Sequence, residues 1–204
     1  MDVLEKIFNG RERVQIMRFF LFNPDCIYNV ASLCAKTGAT KRIIDSELYN
    51  LEKSGLIRKK PFVKGQRDNE GNLFKGKGWI LNQNFKYVKP LENLLIHQGL
   101  ISDQSLIKKV SSWGKIKFVL LAGIFTQNEE SRVDLMVVCD NVRQGMVLRT
   151  ISSFEKEFGR EIRYSVFETS EFKYRFSMND KLVYDIIDYP HKTIVNRLNW
   201  PGLQ

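Results

Sequence analysis

Along the first part of the chain, apolar residues recur at helical spacing between short polar breaks. Residues 3–8 read as a short helix stopped by Asn9-Gly10, a pair that favours the left-handed turn ending many helices. Residues 11–22 form a second helix. Val14, Met17 and Leu21 share a side with Phe20, and Asn23-Pro24 ends it. Asn29 or Ser32 can cap a third helix through Lys36, closed by Thr37-Gly38. Thr40 then caps the strongly amphipathic KRIIDSELYNLEKSG, whose apolar stripe is Ile44, Leu48 and Leu51 and whose terminator is Gly55.

The short turn through Gly38-Ala39 between the last two helices fits a helix-turn-helix. After Gly55 the period changes, and 56–63 and 73–81 read as two strands flanking Asn69-Glu70-Gly71-Asn72, a turn sequence. The hairpin carries Arg58, Lys59, Lys60, Lys64, Arg67, Lys75 and Lys77. A helix-turn-helix followed at once by a basic hairpin predicts a winged helix over residues 1–82.

Residues 82–84 form a polar break, and helices over 85–97 and 102–113 read as a linker and the start of a second domain, residues 83–204. The continuous apolar run 115–122 suits a strand buried on both faces. A second strand over 132–139, a long amphipathic helix over 142–158 and an alternating strand over 161–167 follow. Helices over 170–178 and 179–188 and a tail with Ile194-Val195 complete the pattern, an α/β layered arrangement.

Charge sharpens the division. Residues 1–80 carry 15 basic and 9 acidic side chains, a net +6, and the other 124 carry 17 and 14, a net +3. A basic module joined to a nearly balanced one suits nucleic-acid binding by the first. In a helix-turn-helix the second helix enters the major groove with its early residues at the base edges. Arg42 is the candidate for a guanine edge, because its guanidinium fork can bond two acceptors. Thr40, Lys41 and Ser46 suit phosphates, and Tyr49 shares the face opposite the apolar stripe. Lys59, Lys60, Lys64, Arg67, Lys75 and Lys77 would neutralise further phosphates.

Residues 118–140, FVLLAGIFTQNEESRVDLMVVCD, resemble the signature of the nucleotidyltransferase superfamily: an apolar strand, a glycine turn, a gap, then paired carboxylates. Gly123 matches the family glycine and Asp134 the first carboxylate. Ile124 replaces the small or hydroxyl residue beside the phosphates, and Met136 replaces the second metal-binding carboxylate. Mg²⁺ demands oxygen ligands and takes no useful bond from a thioether. For a third acid, only Glu161 and Glu168 stand near the later strand. Asp134 then reads as a structural residue, capping a neighbouring turn or pairing with an arginine such as Arg132.

Both halves together resemble bacterial and archaeal winged-helix regulators fused to a degenerate nucleotidyltransferase-like domain. The run EFKYRFSMNDKLVYDIIDYPH adds to the match. The resemblance implies a two-domain α+β protein: an N-terminal winged helix-turn-helix and a C-terminal α/β domain with a small mixed sheet. It implies a transcription regulator that binds double-stranded DNA. A homodimer is expected because two half-sites let one modest module reach useful affinity. With one matched carboxylate of three, no catalytic residue, metal or cofactor is expected. The relic site at Gly123, Asp134 and Met136 would serve sensing of a small-molecule or nucleotide effector, or assembly. Two other readings use the same residues: an active minimal nucleotidyltransferase with Asp134 as its lone matched ligand, and a nucleotide sensor without catalysis.

The remaining composition excludes more than it adds. The longest apolar run, 118–125, is eight residues, far short of the roughly 18–20 that span a bilayer. The mixed charges of MDVLEKIFNGRERV do not suit a signal peptide. Cys26, Cys34 and Cys139 lack metal-type spacing and suit buried thiols of a cytoplasmic protein. His97 and His191 stand apart from any companion ligands. Gly76-Lys77-Gly78 lacks the ending of a phosphate-binding loop.

Overall fold

A computed structural model describes residues 3–61, 77–97, 100–128 and 130–198. The chain is a mixed α/β protein of two compact units: Met1–Gly99 with Lys156–Arg160, and Leu100–Glu155 with Glu161–Gln204. Lys64, Arg67 and Lys75 lie outside the described residues.

The first unit opens with α1 (Val3–Ile7), α2 (Arg11–Phe22), α3 (Val30–Thr37) and α4 (Lys41–Ser54). α2 is its axis: every residue from Val14 to Leu21 is buried, so this helix is enclosed on all sides rather than on one stripe. That enclosure takes in Arg18, whose Nε donates to the Leu95 carbonyl at 3.0 Å and whose Nη1 donates to that of Glu157 at 3.3 Å. α3 starts with a reciprocal cap: Asn29 accepts from the Ser32 amide, and the Ser32 hydroxyl accepts from the Asn29 amide. The two capping candidates in the sequence therefore act as a pair. α3 stops at Gly38, whose φ of 75° is a conformation open to glycine at little cost.

α4 turns Ile44, Leu48 and Leu51 into the core. β1 (Ile57–Pro61) and β2 (Lys77–Leu81) pair antiparallel, from Ile57 opposite Leu81 to Pro61 opposite Lys77. On the far side of β2, the Tyr28 and Trp79 backbones exchange two hydrogen bonds of 2.9 and 2.8 Å, anchoring the hairpin to the helical body.

Residues 82–87 form turns, so α5 begins only at Val88 and runs to Glu92, continuing as a π-helical turn, Asn93–His97. This segment belongs to the first unit, where the sequence pattern reads it as a linker into the second domain. Leu95 and Ile96 are buried in the first core, with Val88 and Leu91 packed against it. The boundary accordingly falls after Gly99 rather than after residue 82.

The second unit contains α6 (Asp103–Val110), β3 (Lys115–Leu121), β4 (Leu135–Asp140) and α7 (Gln144–Phe158), the last residues of which count with the first unit. β5 (Tyr164–Phe167), α8 (Thr169–Ser177), α9 (Lys181–Asp188) and β6 (Lys192–Asn196) follow. The sheet order is β5-β4-β3-β6, with β4 and β5 parallel and the other pairs antiparallel. A parallel neighbour needs a crossover, and α7 supplies it. Phe118, Leu120, Met136 and Val138 cover one sheet face against Phe172 of α8 and Val183 and Ile186 of α9. Val119, Val137 and Cys139 on the opposite face are buried too.

The segment that reads from sequence as a tail is β6, an edge strand paired with β3. None of the cysteines is disulfide-bonded; Cys139 is buried, while Cys26 and Cys34 are only half-buried. Among the described residues no helix is long and apolar enough to cross a membrane.

The reciprocal cap on α3 makes a test of this local reading. Asn29→Ala should lower stability to urea by about 1 kcal/mol, and Asn29→Ser should restore most of it.

Candidate nucleic-acid interface and the buried carboxylate of Asp134

The outward face of α4 follows from its inward one. With Ile44, Leu48 and Leu51 buried, Lys41, Arg42, Asp45, Ser46, Tyr49 and Asn50 stand in solvent, Tyr49 at 64% of its full exposure. Thr40 holds the cap position, and its carbonyl accepts from the amides of Ile43 and Ile44. Thr40 is thus the cap that the sequence reads, by position and backbone, and its side chain makes no capping bond. Lys41 and Arg42 have no hydrogen bond or ion pair among the described residues.

One flank of α4 is tied down. Arg13 grips Glu47 with Nε at 2.7 Å and Nη2 at 3.2 Å, while its Nη1 donates to the Phe8 carbonyl at 3.1 Å. The hydrogen bond to Glu47 raises the Arg13 pKa further, despite partial burial. A two-pronged guanidinium–carboxylate contact fixes orientation as well as distance. It thereby sets the roll of α4 against α1 and α2, which determines what the free face presents.

Of the hairpin cations within the described residues, Arg58, Lys59, Lys60 and Lys77 are exposed. Lys59 is already engaged: its Nζ lies 2.9 Å from Glu52 on α4, and Trp79 Nε1 donates to the same carboxylate at 3.2 Å. The Lys59 hydrogen bond, assisted by Trp79, holds the Glu52 carboxyl below the usual carboxylate range. The structure therefore gathers Thr40, Lys41, Arg42, Ser46 and Tyr49 on α4, places Lys60 and Lys77 on the adjoining hairpin, and gives Lys59 an internal partner.

In the second unit, Gly123 opens a 3₁₀ turn, Gly123–Phe125, directly after β3, with φ +53°. Asp134 immediately precedes β4 and is completely buried. Its carboxylate takes four donors: Ile124 N–H on Oδ1 at 3.0 Å, Arg163 N–H on Oδ2 at 2.9 Å, Arg163 Nε on Oδ2 at 3.1 Å and Arg163 Nη2 on Oδ1 at 2.9 Å. A Cβ added at Gly123 would fall 1.9 Å from Oδ1, so glycine is required here for space as well as for backbone angle.

Asp134 therefore does cap the neighbouring turn, but its arginine is Arg163 and not Arg132, which pairs with Asp185 at 3.2 Å. Register explains the choice. Leu135 lies opposite Tyr164 in the parallel pair, which brings residues 134 and 163 together just outside the ladder. Glu161 and Glu168 are not among the partners of Asp134; Glu168 holds the cap position of α8. Met136 is fully buried in the core.

These residues do not fit a divalent cation. The one matched carboxylate is saturated by donors, and the position two residues on is a thioether within the core. Among the described residues no group of three His, Cys, Asp or Glu is arranged to hold a metal ion. Comparison with family models, curated proteins and solved structures finds no match.

Arg163 is absent from the residues that the sequence singles out, because the nucleotidyltransferase pattern asks for acids along REIRYSVFE. Its only signal there is that of an unexplained basic residue in an otherwise alternating strand. Arg163→Met leaves Asp134 buried without its guanidinium. The expected loss is roughly 3–5 kcal/mol in urea denaturation, toward the lower figure because Arg163 is partly solvated. The double variant Asp134→Asn, Arg163→Met should recover part of it.

Proposed function

We propose that the protein is a transcription regulator whose first unit acts as a winged helix on double-stranded DNA, with a second unit of nucleotidyltransferase-like descent that performs no transfer. The observation that carries the reading is the outward face of α4. Two cations without intramolecular partners among the described residues open the helix, polar and aromatic side chains continue that face, and an apolar stripe holds it from behind. Cations in a first helical turn oppose the helix dipole, and an external anion offsets that cost. Phosphate contacts by Thr40, Lys41 and Ser46 would set register, and Arg42 would read a guanine edge.

The saturated carboxylate of Asp134 supports a second unit without catalysis, since aligning a nucleotide would require that carboxylate to leave Arg163 for a metal. A homodimer suits one modest module per chain, because two half-sites multiply its affinity. An effector bound by the second unit would act only through unequal affinity for two states of the protein.

Fluorescence anisotropy with mixed-sequence duplexes at low salt should show binding that weakens steeply as salt rises. Lys41→Glu with Arg42→Glu should abolish it while circular dichroism stays that of the parent. Arg42→Ala alone should cost about 1–3 kcal/mol on the preferred site and relax its preference at one base pair. Incubation with labelled nucleotides and Mg²⁺ or Mn²⁺ should give no transfer. Absence of binding to every duplex, or labelling that depends on Asp134, would overturn the proposal.

A further inference from the structure

Glu52, in the last turn of α4, closes a bracket across one side of the hairpin. It takes Lys59 from β1 at 2.9 Å and the Trp79 indole from β2 at 3.2 Å. Lys59 and Trp79 are register partners, so their side chains stand on the same hairpin face. Arg58 and Lys60 alternate to the other face. Both are exposed, and neither has a hydrogen bond or ion pair among the described residues.

We infer that Glu52 divides the cations of β1 into two sets. Lys59 is an internal strut that positions the hairpin on α4, and Arg58 and Lys60 are the β1 residues that meet duplex phosphates. This rests on the DNA-binding reading above and adds which face of the hairpin is turned to the duplex. The half-buried Trp79 indole needs an acceptor, and Glu52 supplies it. The same ionised carboxylate is a fixed negative charge beside Lys59, so a phosphate approaching that side meets repulsion together with attraction. Among the described residues no such counter-charge is bonded to Arg58 or Lys60.

The experiment is a salt series of duplex binding by the full chain, read by anisotropy, with thermal melts to establish that each variant is folded. Arg58→Ala and Lys60→Ala should each make the slope of log affinity against log salt shallower by about 0.9, one phosphate contact apiece. Lys59→Ala should leave that slope unchanged. Glu52→Gln should lower the melt and leave that slope unchanged, because Lys59 stays on the hairpin face turned away from the duplex. A slope steepened in Glu52→Gln would show Lys59 reaching the duplex and overturn the assignment of faces.

Equal slope losses in Lys59→Ala and Lys60→Ala would overturn the division while leaving DNA binding intact. The bracket is also read without DNA. The Trp79 indole proton resonance should move in Glu52→Gln, and an unmoved resonance overturns the strut. If the parent protein binds no duplex, the DNA-binding reading falls and the division of the cations falls with it.

Discussion

The second unit is organised around a carboxylate that water does not reach. An ionised group in such a place persists only if its charge and its lone pairs are answered locally. Asp134 is answered from two directions: by the amide of the turn that follows β3, and by the backbone and guanidinium of Arg163 just before β5. Three segments distant in sequence are thereby drawn to one point. Gly123 has no side chain because the carboxylate oxygen occupies that space. Met136, one pleat further along, needs only to fill volume between the sheet and α8. The arrangement is self-contained: a tethered cation stands beside the carboxylate, so the charge balance needs nothing from solution.

The first unit shows the opposite arrangement on one face, where the exposed Lys41 and Arg42 of α4 have no ionic partner among the described residues. α2 is enclosed and carries the packing, so α4 contributes only a stripe and is free to expose most of its circumference. The Arg13–Glu47 contact removes its freedom to roll, and Glu52 joins its other end to the hairpin. What remains outward is the polar face of α4, where Lys41 and Arg42 have no hydrogen bond or ion pair among the described residues.

Local pattern was enough for much of this. α2 and α4 have the bounds that their apolar spacing and their flanking Pro24 and Gly55 imply. The strands β3 and β4 and the crossover helix between β4 and β5 were legible from runs and alternation. The failures share a cause: each depended on a partner far away in sequence. β6 has too few apolar residues to announce a strand and exists because β3 offers an open edge. α5 and its π-helical turn join the first core through Leu95 and Ile96, which periodicity alone cannot assign to either unit. In the candidate sites the exposed face of α4 was readable as the complement of its stripe. The engagement of Lys59 by Glu52 and of Asp134 by Arg163 was not: the first pair, though near in sequence, depends on how β1 folds back on the end of α4, and the second joins residues 29 apart through the register of β4 and β5.

The enclosure of α2 also governs how the molecule can be divided. The first unit is not a contiguous stretch, since Lys156–Arg160 belong to it. Arg18 donates to the carbonyl of Glu157, Asn23 to that of Gly159, and Arg160 lies over the ring of Phe22. A fragment cut after Gly99 would keep the arginine but discard an oxygen it is buried against. Ribosomal order matters in the same way: the emerging N-terminal half must wait for more than fifty further residues of translation before its own interior is complete.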